Sequence, residues 1–366
     1  MNKITQILFF ILTINLSTQS IALGTLSSQE SSRYQITDIL EPQEVNDTQR
    51  VVKTLSDKVL SEYVKGYARR NVHAKANGCV KSEFKINNNL KNTTLAKGIF
   101  KPGASYKALI RFSNGSTNGS GDDRDGDTRG MAIKVFGVNG TKLIKDPIYK
   151  DSQDFVLLSH PSFFLNDTKS SAEFFERFDA GKISDFLHIP FDIGLNGTIT
   201  AAKMLSQHID NPLFTRYYSV TPYQLGSKDI NPHVVRYSVR SCNPNMQVKS
   251  DKTSGKNFLR DSMQETLKNK SACMEFMLQD RGALSGVDLN NYDNWDEDKF
   301  PFVPIAQIII PPQTFDTAGN NTMCEKLSYN PWHSIEDHKP LGVINAMRGM
   351  VYDKTSNVRR TMNNDN

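Results

Sequence analysis

The sequence has few cysteines and none of the residue spacings that usually mark a metal site. Its 366 residues include four cysteines without a Cys-x-x-Cys pair and seven histidines without a His-Glu-x-x-His motif. Zinc knuckles, thioredoxin-type redox sites and other metal sites built from protein side chains alone are therefore not expected.

A strong excess of charge of one sign is also missing. The chain has 44 basic and 39 acidic residues, and its formal net charge is +5 at pH 7. The basic residues are scattered among acids, so a nucleic-acid partner is not expected. A composition of 38% hydrophobic and 23% charged residues is that of a folded globular protein. The length suits either two domains of ~150 residues or one large barrel-based domain.

Long apolar runs are absent except at the N-terminus, where residues 7–16 are almost entirely hydrophobic. This run is too short for the ~20 residues of a membrane-spanning helix. Lys3 precedes it, and a small-residue pattern ending at Ala22 follows it. We therefore expect residues 1–22 to be a signal peptide, the mature protein to be secreted or periplasmic, and no integral membrane span to remain after cleavage.

Export places the four cysteines in an oxidising compartment, where they can form two disulfides in any of three pairings. Cys242 and Cys273 adjoin two neighbouring predicted strands, at residues 234–239 and 273–278. Adjacent strand ends often lie within bridging distance. Among the three pairings, a disulfide between Cys242 and Cys273 is therefore the one we favour.

The periodicity of apolar residues predicts one α+β domain, an antiparallel β-barrel with helices packed outside it. Residues 23–48 are polar and are interpreted as an N-terminal arm, and residues 49–366 as the folded domain. Three- and four-residue apolar spacing predicts helices, and short apolar alternation predicts strands. The predicted helices are 47–70, 171–178, 193–208 and 340–360, and the predicted strands are centred on 80–86, 106–112, 131–135, 155–158, 234–239, 273–278 and 305–310.

The last predicted helix carries Arg348, Tyr352 and Arg359. At ~100° per residue, offsets of four and eleven residues return to within ~40° of the starting direction. The three side chains therefore share one helix face and can address a single ligand.

Six segments, taken in chain order, resemble the haem catalases and their shorter catalase-related peroxidase relatives. The resemblance spans about residues 50–360. It rests on RNVHAK (70–75), IRFSNG (110–115), TRGMAIKVF (128–136), DFVLLSHPSFFLND (154–167), LSYNP (327–331) and the RxxxY spacing of Arg348 and Tyr352. It implies a catalase-like barrel that binds haem b and acts on a peroxide.

On one haem face, the resemblance implies that Tyr352 is the ligand of the haem iron, with Arg348 one helical turn away. A free tyrosine has a pKa of ~10, so a nearby cation favours the phenolate form needed for binding. Arg70, Arg111 and Arg359 match the residues that hold the haem propionates, since guanidinium groups bind carboxylates in a bidentate fork.

On the other face, His73 matches the histidine that moves a proton between the two oxygens of a peroxide. Ser113 matches its orienting partner, and Phe164 matches an aromatic residue beside the haem. Ser159 stands where catalases carry an asparagine. A hydroxyl is a shorter and less directed donor than an amide, so we expect slow dismutation of hydrogen peroxide and easier oxidation of a small organic electron donor.

Tyr352 lies fourteen residues from the end of this sequence, without the C-terminal extension of full-length catalases. The resemblance implies a homo-oligomer. Compared with full-length catalases, we expect a more open protein that assembles from fewer subunits. Two alternatives remain. An allene-oxide-synthase-like enzyme would process organic hydroperoxides, and a haem carrier would bind the cofactor without turnover.

Replacing Tyr352 with phenylalanine should yield protein that purifies largely without haem, because no other residue on that helix face offers an anionic ligand. Haem content and the Soret band measure this. A variant with normal haem content and an unchanged band would contradict the assignment.

Overall fold

The computed structural model describes residues 39–63, 66–91, 93–144, 146, 148–180, 183–243 and 255–365. The predicted signal peptide, residues 1–22, and residues 23–38 of the predicted arm lie outside this part of the chain. The described residues form a closed β-barrel with helices packed against its outside.

The barrel is built from antiparallel strands that each pair with two neighbours. The sheet order is β5-β4-β3-β2-β1-β9-β8-β7-β6, and β5 also pairs with β7, which closes an eight-stranded ring. The ninth strand, β6, continues the edge of β7. The strands are β1 (Ala76–Ile86), β2 (Ser105–Asn114), β3 (Arg129–Phe136), β4 (Ser152–Leu158), β5 (Tyr217–Tyr218), β6 (Tyr223–Leu225), β7 (His233–Ser241), β8 (Ala272–Ala283) and β9 (Phe302–Ile310). The predicted α+β barrel is confirmed.

Alternating side chains explain why these segments form barrel strands. In β1, Phe84 and Ile86 are buried while Lys81, Glu83 and Lys85 face outward, as a period of two requires. The inward rings pack closely. For example, the ring centroids of Phe155 and Phe276 lie 4.8 Å apart. The barrel interior is therefore a solid core, and a ligand must bind outside it.

Six helices accompany the barrel in the described residues. They are α1 (Pro42–Tyr63), α2 (Thr168–Ala180), α3 (Ile183–Leu205), α4 (Phe258–Asn269), α5 (Ala318–Lys326) and α6 (Val343–Asn363). Helices α1 and α6 pack against each other through a cluster that includes Val51, Leu55 and Met347. In the described part of the chain, none of these helices has both the length and the apolar content needed to cross a bilayer.

The structure corrects the predicted limits of the first helix. Helix α1 begins at Pro42, inside the segment predicted as an arm, because proline suits a first helical position and the Glu44 carboxylate accepts a hydrogen bond from the Glu41 backbone N–H at 2.9 Å. The helix ends at Tyr63 rather than at residue 70. Gly66 then adopts a φ of 100°, a left-handed conformation that does not continue a helix.

The middle of the chain also differs from prediction. Helix α3 begins at Ile183, ten residues before the predicted start, and is broken at Gly194, which has a φ of 69°. Helices α4 and α5 and the short strands β5 and β6 were not predicted. They span between two and twelve residues, and short elements carry little periodicity.

Two disulfides connect parts of the chain that are distant in sequence. Cys242 and Cys273 are bonded, with 5.4 Å between their Cα atoms, so the predicted pair is confirmed. The other bond joins Cys79 of β1 to Cys324 of α5. It attaches the end of α5 to the barrel wall.

A buried ion network lies beneath the segment that follows α5. Lys134 Nζ lies 2.7 Å from both carboxylate oxygens of Asp154, and neither side chain reaches solvent. The same carboxylate accepts the backbone N–H of Asn330 at 3.0 Å and contacts His333 Nδ1 at 2.9 Å. Strands β3 and β4 therefore anchor residues 330–333 by charge as well as by packing.

Lys134→Met should reduce the free energy of unfolding by ~3 kcal/mol, because it leaves the buried Asp154 carboxylate without its main counter-charge. Urea denaturation measures this change. Lys53→Met removes an exposed i,i+4 pair with Asp57 and should change stability little. Equal effects of the two substitutions would contradict this role of the buried pair.

Candidate functional site

One cavity of about 260 Å³ lies between the barrel wall and helices α1 and α6. Its polar lining groups include His73, Ser113, Thr221, Ser328, Tyr329, Tyr352 and the four arginines Arg70, Arg111, Arg348 and Arg359. The walls are mainly apolar and include Val51, Leu55, Val72, Met131, Leu157, Phe163, Leu165, Val220 and Val351. The cavity thus brings together seven of the nine sequence-predicted site residues.

His73 is held in an unusual backbone conformation at the cavity wall. It lies in a turn before β1, and its φ is 58°. A left-handed conformation is uncommon for residues other than glycine. Three contacts hold this turn: the N–H of His73 donates to Gly115 at 3.2 Å, the N–H of Ala74 donates to Ser116 at 3.2 Å, and the His73 carbonyl accepts from Arg111 at 2.9 Å.

Within the described part of the chain, the imidazole of His73 is held by hydrogen bonds to its Nδ1 and by none to its Nε2. Its Nδ1 lies 2.9 Å from the Asn114 carbonyl and 3.1 Å from Ser113 Oγ. Since a carbonyl only accepts, Nδ1 carries the proton and Nε2 keeps its lone pair for a ligand. Burial, together with the positive charges of Arg111, Arg348 and Arg70, lowers the pKa of His73 to about 4. The ring is therefore neutral at pH 7.

Gly130 provides the space for this ring. A Cβ at this position would lie 2.6 Å from His73 Nδ1 and 2.8 Å from Ser113 Oγ, closer than such atoms can approach. Gly130 faces Ser113 across the β2–β3 pairing. A side chain on β3 would therefore displace the imidazole or its hydroxyl partner.

Helix α6 presents Arg348, Tyr352 and Arg359 to the cavity, in accordance with their spacing. Arg348 donates to Thr221 Oγ1 at 2.9 Å and Asn345 Oδ1 at 3.0 Å. Its guanidinium carbon lies 5.5 Å from the centroid of the Tyr352 ring. Burial lowers the pKa of Arg348, but the phenolic oxygens of Tyr352 and Tyr223 outweigh it, and the pKa is raised overall.

Close packing behind α6 positions these side chains. A Cβ at Gly349 would lie 2.7 Å from Trp332, so the glycine lets the helix approach the indole. The Trp332 Nε1–H donates to the Asn345 carbonyl at 2.7 Å. The height and rotation of α6 are thereby fixed relative to the cavity.

Three arginines meet at the far end of the cavity around the end of α5. Arg70 pairs with the Glu325 carboxylate at 3.0 Å, and Arg111 lies 3.8 Å from it. Arg359 donates to the Leu327 carbonyl at 3.0 Å, and Arg70 donates to the same oxygen. Burial, with the charge of Arg70 as the next cause, lowers the pKa values of Arg111 and Arg359 to about 9. This cluster, Arg70, Arg111 and Arg359, is the arginine clamp.

Two predicted site residues do not line the cavity. Ser159 Oγ donates to Gln207 Oε1 at 2.6 Å and accepts from the Arg129 N–H at 2.9 Å, so its hydroxyl is engaged elsewhere. Phe164 packs against Phe163 and Phe174. Phe163 is the ring that reaches the cavity.

Sequence reasoning missed Gly130, Glu325 and Tyr329. Gly130 lies within TRGMAIKVF, where a glycine inside a strand signals a close approach. Tyr329 lies within LSYNP, where the segment was recognised but the side chain was given no role. Glu325 carried no local signal.

This chain is similar to catalases in part of its sequence and in its fold. The family model for catalases matches residues 39–181. The fold is similar to that of catalase A from Saccharomyces cerevisiae, with a TM-score of 0.64, 17% identity and coverage of 83% of this chain and 63% of that one. A fungal catalase gives a TM-score of 0.62 at 15% identity, with coverage of 82% and 61%, and a bacterial catalase gives 0.56 at 14%, with coverage of 83% and 60%.

The chain spans about three fifths of the length of these catalases. No curated protein sequence is significantly similar to it. The matched segment, residues 39–181, includes His73, Arg111, Ser113 and Gly130. This match covers less than half of the chain, and the solved structures share its fold, so the chain is similar to catalases in residues 39–181 and in its overall fold.

Proposed function

We propose that this protein binds haem b in the cavity described above and decomposes peroxide, oxidising a small organic donor. One observation carries the proposal. A single cavity holds a neutral histidine with a free Nε2, a tyrosine beside a buried arginine, and three further arginines at its far end.

The residues present fit haem by charge and by shape. The arginine clamp contributes three positive charges, and Glu325 neutralises one of them. The remaining charge of about +2 matches a ligand with two carboxylates. The Arg111 Nε–H is buried without a hydrogen-bond partner among the described residues. Apolar walls at Leu55, Met131 and Val351 suit a macrocycle.

When bound, haem would supply a redox-active iron, and Tyr352 would be its protein ligand. Arg348 supports a negative charge on the phenolic oxygen, since its guanidinium lies next to the ring and is held by Thr221 and Asn345. An arginine held by two hydrogen bonds stays in place when that charge develops. No group of three or more metal-binding side chains occurs in the described residues.

His73 is poised as a general base. Its Nε2 accepts the proton of one peroxide oxygen and returns it to the other oxygen as the O–O bond breaks. The Asn114 carbonyl stabilises the imidazolium formed between these two steps, because it accepts the Nδ1–H. Ser113 restricts rotation of the ring.

A second candidate substrate is an organic hydroperoxide. The cavity walls beside His73 include Val72, Leu157 and Phe163, and the Ser159 hydroxyl makes its hydrogen bonds to Gln207 and Arg129 instead. Apolar walls favour a substrate with an apolar tail. Comparing turnover of hydrogen peroxide and cumene hydroperoxide by the reconstituted protein distinguishes the candidates. A haem carrier would turn over neither.

Gly130→Ala should reduce peroxide-dependent oxidation of a phenolic donor by at least ~10-fold, because the added methyl displaces His73. Haem content should fall far less than activity, since the atoms nearest to the added methyl belong to His73 and Ser113 and not to Tyr352 or an arginine. Gly319→Ala is the control, because a Cβ there meets no atom within 4 Å. Equal activity in the two variants would contradict the placement of His73. Wild-type protein that binds haem but oxidises no donor with either peroxide would contradict the proposed activity.

The rate of donor oxidation should remain constant from pH 7 to about 5.5 and fall as pH passes about 4, where His73 becomes protonated. The folded-state pKa is below the unfolded value of ~6.5, so the unfolded chain binds protons first and stability also declines as pH falls from ~6.5. Short activity assays measure the rate at each pH, and circular dichroism at the same pH shows whether the protein is still folded. Together they separate protonation of His73 from unfolding. If the rate of donor oxidation by folded protein fell with a midpoint near pH 6.5, burial would not lower the pKa of His73 as we infer.

A further inference from the structure

Tyr329 lies at the arginine end of the cavity with an unused hydroxyl. Its ring lines the cavity, and only 9% of the residue is exposed. The hydroxyl is buried and has no hydrogen-bond partner among the described residues. A buried hydroxyl without a partner costs ~1–3 kcal/mol, so such a group in a cavity suits a ligand that accepts a hydrogen bond.

Hydrogen bonds on both sides of Tyr329 hold its backbone in place. Ser328 donates its N–H to Tyr149 Oη at 3.0 Å, and Asn330 donates its N–H to the buried Asp154 carboxylate at 3.0 Å. Both neighbours of Tyr329 are therefore fixed. Lys134 Nζ lies 5.2 Å from the ring centroid, and this contact holds the ring from another side.

The charges near Tyr329 indicate which kind of ligand group can accept a hydrogen bond from its hydroxyl. Burial and Asp154 raise the pKa of the phenol, while Arg111 and Arg70 lower it less, so the hydroxyl is protonated at pH 7 and can donate. Arg111 has a second unused donor, its Nε–H. Two unused donors beside buried cations favour an anionic acceptor.

We propose that Tyr329 Oη is an additional hydrogen-bond donor to the haem propionate that Arg111 binds, so that the phenol and the Arg111 Nε–H address the same carboxylate. Arg70 and Arg359 donate hydrogen bonds to the backbone carbonyls of Cys324, Glu325 and Leu327. They therefore contribute charge, while Tyr329 and Arg111 contribute directed hydrogen bonds. This inference rests on the proposed haem function and adds a neutral donor to the arginine clamp.

The test compares Tyr329→Phe with wild type in Soret titrations with haem and with haem dimethyl ester, which lacks both carboxylates. Tyr329→Phe should weaken haem binding by about tenfold, the loss expected for one hydrogen bond to a charged acceptor. Affinity for the ester should change by less than about threefold. The haem-free variant should melt no lower than wild type, because an unsatisfied hydroxyl is removed.

Tyr106→Phe is the matched control. Its hydroxyl donates a hydrogen bond to the Ile99 carbonyl at 3.0 Å and does not line the cavity, so this variant should not stabilise the haem-free protein and should leave haem affinity within about twofold. Unchanged haem affinity in Tyr329→Phe, or equal losses for haem and its ester, would overturn the inference alone. Wild type that binds neither ligand would overturn the proposed haem function and this inference with it.

Discussion

The concentration of positive charge in one poorly solvated cavity is the constraint on which the site depends. Arg111 and Arg359 are almost completely buried, and burial together with neighbouring Arg70 reduces their pKa values to about 9. Guanidinium groups so close together need acceptors. The Glu325 carboxylate and the carbonyls of Cys324, Glu325 and Leu327 supply them, and the Cys79–Cys324 disulfide fixes this segment to β1.

Burial is the main reason why His73 is neutral, and the same positive charges add to its effect. Arg111 both holds the His73 carbonyl and, by its charge, disfavours protonation of the imidazole. One side chain thus couples the ligand-binding end of the cavity to the proton-transfer end. Substitution of Arg111 would disturb both ends, so Tyr329 and Gly130 are the cleaner positions for separating binding from proton transfer.

Helix α6 is positioned by contacts from three separate parts of the chain. Thr221 follows β5, Trp332 lies in the segment after α5, and Val51 belongs to α1. The helix can present Arg348 and Tyr352 to the cavity only when these parts have assembled around the barrel. Site geometry and barrel closure are therefore linked, since β5 closes the ring and leads directly into Thr221.

By itself, the sequence predicted the seven longer barrel strands and the shared face of Arg348, Tyr352 and Arg359, and it favoured the Cys242–Cys273 bond among three possible pairings. These features follow from periods of two and 3.6 residues and from adjacent strand ends. Only the tertiary structure decided the turn at His73, the orientation of Ser159 and the unpaired hydroxyl of Tyr329. His73 depends on Gly115 and Gly130, and Ser159 on Gln207. Local periodicity carries no information on such contacts, because they join segments that meet only after the chain has folded.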